Sequence, residues 1–547
     1  MSTHGDGESI ETNPSIAGLD GLATWIFRRW AMLAALSWFA SGALYLTLPP
    51  SPDQFNHAYM GWRLVEGDVP YRDFIDQNWP GVIGLHGLTT WIFGVHLWSW
   101  RAFDFLLFAA STLFLADLVR IAAGRDAGRL SLVLCPLIYA GASFWVSGQH
   151  DMSAAQFLLG ALWFHVRGYE RKACWWQLGT GFFLGAAMLN KPTVGLLGAL
   201  LPLQALCLQT PWRSVIQQTA TAGAAALATL LAAVCWVLSL GATLSDIIEA
   251  VYTLNVYTYA SNPSFVEANL LLDSINSVLF AQIRDRVFEG SWWLLLTFAC
   301  APAALWIFHR DNRSIATTAL PVLWLTGALS YFLQWRGQGY HMAPALITLA
   351  GGLAISAMLV STKQGIIGSA GWKRAVGAGL IILALAGIGI KLAATYYSLP
   401  MALLAGDYGR HLSRFKANNE STLNVADVVT FVNRLEELPP ANECMLVMGT
   451  MSSINYLSKR RQPTRFYYFP VLVNATPPLP MAEHWIDLWE RELKAVECRF
   501  VLLADGIRAE WLPGSSRAAA ALRGLMEQYR ESGTLGAGRG MTVYERR

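Results

Sequence analysis

Long apolar runs recur along the first four hundred residues, and they leave this chain few folds to choose from. They lie near 30–48, 101–120, 130–147, 153–167, 174–190, 193–209, 216–242, 292–308, 315–334, 343–361 and 375–398. A helix needs roughly 20 such residues to cross a hydrocarbon core. There the backbone must satisfy its own hydrogen bonds, so runs of this kind cross as helices. Charge is correspondingly scarce, at 14% of residues against 54% hydrophobic, where a soluble domain carries roughly 25% charged. The expected fold class is a polytopic α-helical membrane protein of about 11 spans. The first run is longer than a signal-peptide core and lacks a small-residue cleavage site, so it reads as a retained helix. A net charge of +3 argues against a nucleic-acid partner.

Basic residues orient the spans, because Arg and Lys collect on the cytoplasmic side. Arg28 and Arg29 precede the first run and put residues 1–29 inside. Arg120, Arg125 and Arg129, then Arg167, Arg171 and Lys172, then Arg213, Arg310, Arg313, Lys363, Lys373 and Arg374 fall on the same side. The agreement requires that Pro80–Trp98 does not cross. Its glycines and His86 and His96 suit a helix lying on the outer surface. The organisation expected is a membrane domain at 30–399, with a first external loop at 49–100, and an external α/β domain at 400–547.

With that sidedness, nearly all ionisable groups near external helix ends converge. The first loop carries Asp53, Asp68, Asp73 and Asp76, and carboxylates held beside a bilayer are costly and usually functional. Gln149-His150-Asp151, Asn190-Lys191-Pro192, a long loop around Ser245–Gly290, and Trp335–His341 face the same side. One polar site at the outer face accounts for all of them.

Past Pro400 the chain reads as an ordinary globular domain. Cys444–Gly449 and Cys498–Ala504 are short apolar runs of buried-strand type, each preceded by a helical pattern, at Val425–Leu438 and Ala482–Val496. Arg465–Phe469 and Met541–Tyr544 are weaker strand candidates, and Arg517–Glu531 reads as a helix. Such alternation implies an α/β layer with some parallel pairing. Seven cysteines show no metal-ligand spacing. Cys444 and Cys498 each open a strand, so parallel neighbours would bring them to one sheet end, either as a disulfide or as two buried thiols. The 23 tryptophans partly populate interfacial belts, and some could stack on sugar rings.

The ordered phrases carry a family resemblance. "GDVPYRDFIDQNWPG" at 67–81, Asp151 opening the fourth run, "GAAMLNK" at 185–191 and "YHMAP" at 340–344 resemble the GT-C superfamily of polyprenyl-linked sugar transferases. The likeness covers roughly residues 25–400. Within the superfamily it is closest to bacterial relatives of protein O-mannosyltransferases and of the lipid A aminoarabinose transferase. Two departures stand out: Gln54 where many members have Glu, and Asn78-Trp79-Pro80 where they have Lys-Pro-Pro. The lysine that faces lipid phosphate in relatives is absent there, so Lys191, Arg336 or Arg72 must supply the charge.

The resemblance implies an inner-membrane glycosyltransferase that moves a sugar from a polyprenyl-phosphate carrier to a glycolipid, polysaccharide or protein of the cell envelope. Its site would face the periplasm. An acceptor hydroxyl needs a carboxylate to take its proton, and the leaving phosphate needs positive charge or donors. Asp53, just past the first run, fits the base. Asp73 and Asp76, three apart, would share a face on a helical turn and either orient substrate or cap a turn. Asp151 reads as a substrate contact or as a carboxylate favoured at a helix N-terminus. His150, Lys191, Arg336, Tyr340 and His341 are the remaining candidates, for phosphate contact or for packing and interfacial roles. His57 and His86 have only their loop position. Asp53 with Asp151 could hold a divalent cation, but the branch resembled does not generally require one, so no obligate cofactor is expected. A glycan polymerase or ligase would lean on arginine-rich external loops. A transporter or lipid scramblase would show related halves, and no internal repeat is evident.

Overall fold

The structure is a computed structural model. It describes residues 29–142, 144–255, 314–334, 339–361, 371–417, 423–436, 444–449, 451–467, 480–510, 517–535 and 540–547. The run at 292–308, most of the loop after Ser245, and the side chains of Arg336 and Tyr340 lie outside the described residues.

Each of the other apolar runs falls on a helix. In chain order these are α1 (Trp30–Tyr45), the loop helices α2 (Pro52–Val65) and α3 (Pro80–Phe93), then α4 (Ser99–Ala123), α5 (Arg125–Gly141), α6 (His150–Arg171) and α7 (Trp176–Asn190). A 3-10 turn at Pro192–Leu196 leads into α8 (Leu197–Cys207), followed by α9 (Trp212–Ser239), α10 (Ile315–Gln334), α11 (Ala343–Ser361) and α12 (Gly371–Tyr396). Ser99–Ala123, Trp212–Ser239 and Ile382–Leu404 are long and apolar enough to cross a membrane, while Trp30–Tyr45, Pro192–Cys207, Ile315–Tyr331 and Ala343–Ala357 are shorter apolar helices. α7 packs between α6 and α9, and α11 packs against α5, α10 and α12. Small residues allow the tightest of these contacts: a Cβ on Gly181 would sit 2.1 Å from the Ala222 carbonyl oxygen of α9.

Pro80–Phe93 lies against α2 and touches α7 and α9. Ser51 precedes α2 with extended backbone and Pro52 takes its first helical position, where proline's missing N–H costs nothing. The two loop helices cross so closely that a Cβ on Gly61 would lie 2.3 Å from the His86 carbonyl carbon. No side chain fits there.

The tail begins with α13 (Leu399–Leu404) and continues through α14 (Val425–Glu436), β1 (Met445–Met448), α15 (Ser452–Ser458), α16 (Pro480–Lys494), β2 (Phe500–Ala504), α17 (Arg517–Met526), β3 (Tyr529–Leu535) and β4 (Met541–Arg546). The sheet order is β1-β2-β4-β3. β1 and β2 run parallel with Met445 opposite Phe500, and both strands are wholly buried. The remaining pairings are antiparallel. Trp485 and Trp489 of α16 are fully buried. Cys444 and Cys498, at the same end of the parallel pair, are joined by a disulfide with Cα atoms 4.9 Å apart.

Two expectations need correction. The helix expected over Arg517–Glu531 stops at Met526, and Tyr529–Leu535 is an edge strand whose five central residues are all exposed. A strand exposed throughout its centre carries no apolar alternation to be read. Arg465 lies in a bend, not in a strand, because its backbone N–H is taken by the Glu492 carboxylate.

The Gly61 crossing predicts that Gly61→Val lowers the midpoint of thermal unfolding by several degrees, as over-packing costs about 1–3 kcal/mol. Gly352→Ala, which meets nothing within 4 Å, should leave the midpoint unchanged or raise it. Equal midpoints for Gly61→Val and the unmodified protein, measured in the same detergent, would show that the loop helices do not meet this way.

Candidate functional site

A buried arginine fixes the mouth of the bundle. Arg101, in the first turn of α4, is fully buried. It donates to the Pro49 carbonyl (2.7 Å), to Ser147 (2.7 Å) and Phe144 (3.1 Å), and to the Tyr45 hydroxyl (2.9 Å). Tyr45 in turn donates to Asp104 at 2.5 Å, as does Tyr139 at 2.6 Å. The segment entering α2 and the turn entering α6 are thereby tied to one guanidinium. Gln54 adds a second tie: its carbonyl accepts from the Ser51 N–H at 3.1 Å and its amide donates to Ser147 at 2.9 Å. A glutamate could accept but not donate, which accounts physically for the amide at this position.

Those two segments carry the acidic residues. Asp53, in the first turn of α2, is half-buried, and Gln149 approaches it at 3.5 Å. Burial raises its carboxyl to about 6, opposed by the Gln149 contact, with the Asp151 charge raising it further and Lys191 lowering it. Asp151, in the first turn of α6, is buried. One of its oxygens lies 3.2 Å from the Lys191 ammonium and 3.1 Å from His341 Nδ1; the other lies 3.1 Å from His150 Nε2. Lys191 also reaches both imidazoles, at 3.3 and 3.4 Å. So α6, the α7–α8 junction and the 3-10 turn before α11 meet in one compact cluster.

A column of rings leaves this cluster. His150 stands edge-on to His57 at 5.3 Å, His57 faces His86 at 5.4 Å, and His86 stacks on Trp100 at 3.7 Å. Burial holds His57 and His86 well below the usual histidine range, and neighbouring imidazoles push the same way. Asn78 approaches His57 Nε2 at 3.3 Å and donates to Asp76 at 2.6 Å. Thus the residue standing where relatives have lysine joins the histidines to a loop carboxylate.

Asp73 and Asp76 do not share a helical face. Tyr71 has a positive φ of 69°, and Pro70 bridges to Phe74, so the segment is a turn. Asp73 accepts from the Val69 N–H at 2.8 Å and pairs with Arg72 at 2.8 Å. That pairing occupies Arg72, one of the cations offered for the missing lysine. Asp76 is buried and accepts from the Tyr467 hydroxyl at 2.5 Å. Burial raises its carboxyl, opposed first by Tyr467 and then by Asn78.

The tail closes over this loop. The Ile75 N–H donates to the Arg465 carbonyl at 3.0 Å, the Gln462 N–H to the Tyr59 hydroxyl at 2.8 Å, and Arg461 pairs with Asp68 at 3.2 Å. Ser452 donates to Asn56, and Trp485 to Glu249 at 2.6 Å.

Of the sequence candidates, the structure brings Asp53, His150, Asp151, Lys191 and His341 together, links Asp76 to them through Asn78 and His57, and turns Asp73 to its own loop. Sequence reasoning missed Arg101, Asn78 and Tyr467 as parts of the site. Asn78 and Arg101 left signals, Asn78 as a departure at the position where relatives carry lysine and Arg101 as a cation on the side expected to be poor in basic residues; Tyr467 left none. Among the described residues no three His, Cys, Asp or Glu side chains are set to hold a metal ion.

Residues 80–238 match the family described as dolichyl-phosphate-mannose-protein mannosyltransferase. No curated protein matches in sequence. The fold is similar to that of ArnT from Cupriavidus metallidurans bound to undecaprenyl phosphate, at 14% identity, over 95% of this chain and 98% of that one, with a TM-score of 0.57. The Archaeoglobus fulgidus oligosaccharyltransferase in its apo form aligns at 12% identity over 94% of this chain and 75% of that one, with a TM-score of 0.46. The resemblance to the GT-C superfamily read from the sequence therefore holds for the fold.

The buried pair predicts that Lys191→Met destabilises the protein by about 3–5 kcal/mol, since it leaves the Asp151 charge without its cation. Adding Asp151→Asn should recover part of that loss, which denaturant unfolding of the two single variants and the double variant would measure. Additive losses would mean that the two residues do not interact.

Proposed function

We propose that the chain is a glycosyltransferase of the bacterial inner membrane that moves a sugar from a polyprenyl-phosphate carrier to a cell-envelope acceptor on the periplasmic side. The observation that carries this reading is Asp53, whose carboxyl is raised to about 6, set beside a cationic and imidazole cluster at one end of a helical bundle. The fold shared with a protein bound to undecaprenyl phosphate and the family match over 80–238 support the donor class.

In this reading Asp53 takes the proton of the acceptor hydroxyl as its oxygen attacks the anomeric carbon. The bond from that carbon to the phosphate oxygen breaks, the polyprenyl phosphate leaves with the electron pair, and the configuration inverts. Lys191 supplies the charge that the leaving phosphate needs, and Asp151 fixes its position. The imidazoles of His150 and His341 can donate hydrogen bonds to the same phosphate. Arg336 and Tyr340 are proposed as further phosphate contacts. Asp76 is proposed to order the acceptor side of the loop through Asn78, and Asp73 to hold the loop itself. As in the branch that the sequence resembles, no obligate metal ion is proposed. The sugar and the acceptor (glycolipid, polysaccharide or protein) are left unspecified. The bundle is proposed to cross about 11 times, with residues 1–29 cytoplasmic and residues 400–547 forming a periplasmic α/β domain.

Asp53→Asn should lower turnover by at least about a hundredfold, the lower range for a lost general base, while keeping donor binding. In the unmodified enzyme kcat/KM should fall as pH drops through about 6, because protonation removes the base; the variant should lack that limb. Near-normal turnover in Asp53→Asn would reject the assignment. Gln528→Cys, at an exposed position of the tail, should react with an impermeant thiol reagent in intact spheroplasts. Labelling only after lysis would place the tail on the other side.

A further inference from the structure

Asn78 is clamped on two sides, and the clamp decides which end of its amide faces a ligand. Asp76 Oδ1 accepts from the Asn78 backbone N–H at 2.7 Å and from its side-chain Nδ2 at 2.6 Å. The other oxygen of Asp76 accepts from the Tyr467 hydroxyl at 2.5 Å. A carboxylate oxygen this close faces the NH2 end of the amide, because two acceptors at that distance repel. The second hydrogen of the same nitrogen points to His57 Nε2 at 3.3 Å. That ring nitrogen therefore accepts, and the imidazole proton stands on Nδ1.

Both amide hydrogens are taken up by Asp76 and His57. What remains is Oδ1, an acceptor with two lone pairs. Asn78 is half-buried, and among the described residues no group donates to that oxygen. Its partners place it relative to the reacting groups. His57 follows Asp53 by one turn of α2, so the two share a face of that helix. His57 also stands edge-on to His150 at 5.3 Å, and His150 reaches Asp151 at 3.1 Å and Lys191 at 3.3 Å. The amide thus borders the interval between the proposed base and the proposed phosphate cluster. In a direct displacement the transferred sugar occupies that interval, with the acceptor oxygen on one side and the departing phosphate on the other.

We infer that Asn78 Oδ1 accepts a hydrogen bond from a hydroxyl of the transferred sugar, which makes Asn78 a residue that sets donor specificity. The inference rests on the transferase reading above and deepens it. An amide oxygen offers nothing to a phosphate oxygen, which is itself an acceptor. Asn78 therefore does not replace the lysine that relatives carry at this position; it reads the sugar instead. Asp76, Tyr467 and His57 act through it as positioning residues, since each holds the amide in the orientation that turns its oxygen toward the site.

The test loads the full chain, in mild detergent, with the total polyprenyl lipids of the membrane it comes from and with added undecaprenyl phosphate, and weighs the retained lipids by native mass spectrometry. The unmodified protein should retain a sugar-bearing carrier in preference to bare undecaprenyl phosphate. Asn78→Leu removes the acceptor and should cut that preference about tenfold, the upper worth of one hydrogen bond between neutral groups, while binding the bare carrier as before. Asn78→Lys keeps donors facing Asp76 but presents no acceptor either. It should lose the preference too and hold bare undecaprenyl phosphate more tightly. An unchanged preference in either variant overturns the inference. So does an equal loss of both carriers in the two variants, which would make Asn78 part of the loop's framework. Retention of no sugar-bearing carrier by the unmodified protein would reject the transferase reading, and this inference with it.

Discussion

The site exists where it does because one guanidinium is buried at the mouth of the bundle. Arg101 collects the carbonyls of Pro49, Phe144 and Ser147, which belong to two segments far apart in sequence. One leads into the helix of Asp53, the other into the helix of Asp151. A buried charge of this kind stands only if its donors are taken, since desolvation costs several kcal/mol per ion. Here carbonyl dipoles take most of them, and the Tyr45 hydroxyl passes the remaining charge on to Asp104. The arrangement is stiff because any displacement of either segment strands a donor. Asp53 and Asp151 are thereby held in register without touching one another.

Within that frame the charges are matched in a way that suits a phosphate. Asp151 and Lys191 cancel, and the surrounding His57 and His86 are kept uncharged by burial. A site already carrying several unbalanced cations would be costly to keep empty. One built from a neutralised lysine and imidazole donors presents directional hydrogen bonds at lower cost, and its electrostatics strengthen when a ligand excludes water. Asn78 in place of a lysine fits the same pattern: it connects His57 to Asp76 and adds no charge.

Much of this was legible in the sequence, for physical reasons that also explain what was not. Apolar runs marked the helices because lipid permits little else, and residues such as Asp53, Asp151 and Lys191 stood out because ionisable groups at helix ends are rare in such a chain. The buried strands Met445–Met448 and Phe500–Ala504 were readable as apolar runs, whereas Tyr529–Leu535, with its centre exposed, had no pattern to betray it. The geometry of Asp73 and Asp76 was lost at Tyr71, whose positive φ turns a segment that spacing alone would wind into a helix. Tyr467 and Gln462 could not have been found, since they reach the site across 391 and 403 residues of sequence.

That long reach explains why the tail matters to the site. α2 is an unusual helix, for it buries Gln54, Asn56, His57 and Arg63, polar groups that ordinarily face water. Buried polar atoms require partners, and a helix lying at the bundle mouth can find them from the membrane domain on one side only. Gln54 and His57 are served there, by Ser147, Asn78 and the histidine column. Asn56 and Tyr59 turn the other way and are served by Ser452 and Gln462 of the tail. Arg63 pairs with Asp68, which the tail's Arg461 also holds. Removing the tail would leave one face of α2 with unpaired groups, and the first turn of that helix carries Asp53. The tail contributes no ionisable side chain to the Asp151 cluster among the described residues; its contribution is to complete the hydrogen bonding of the helix that bears Asp53, the base proposed above.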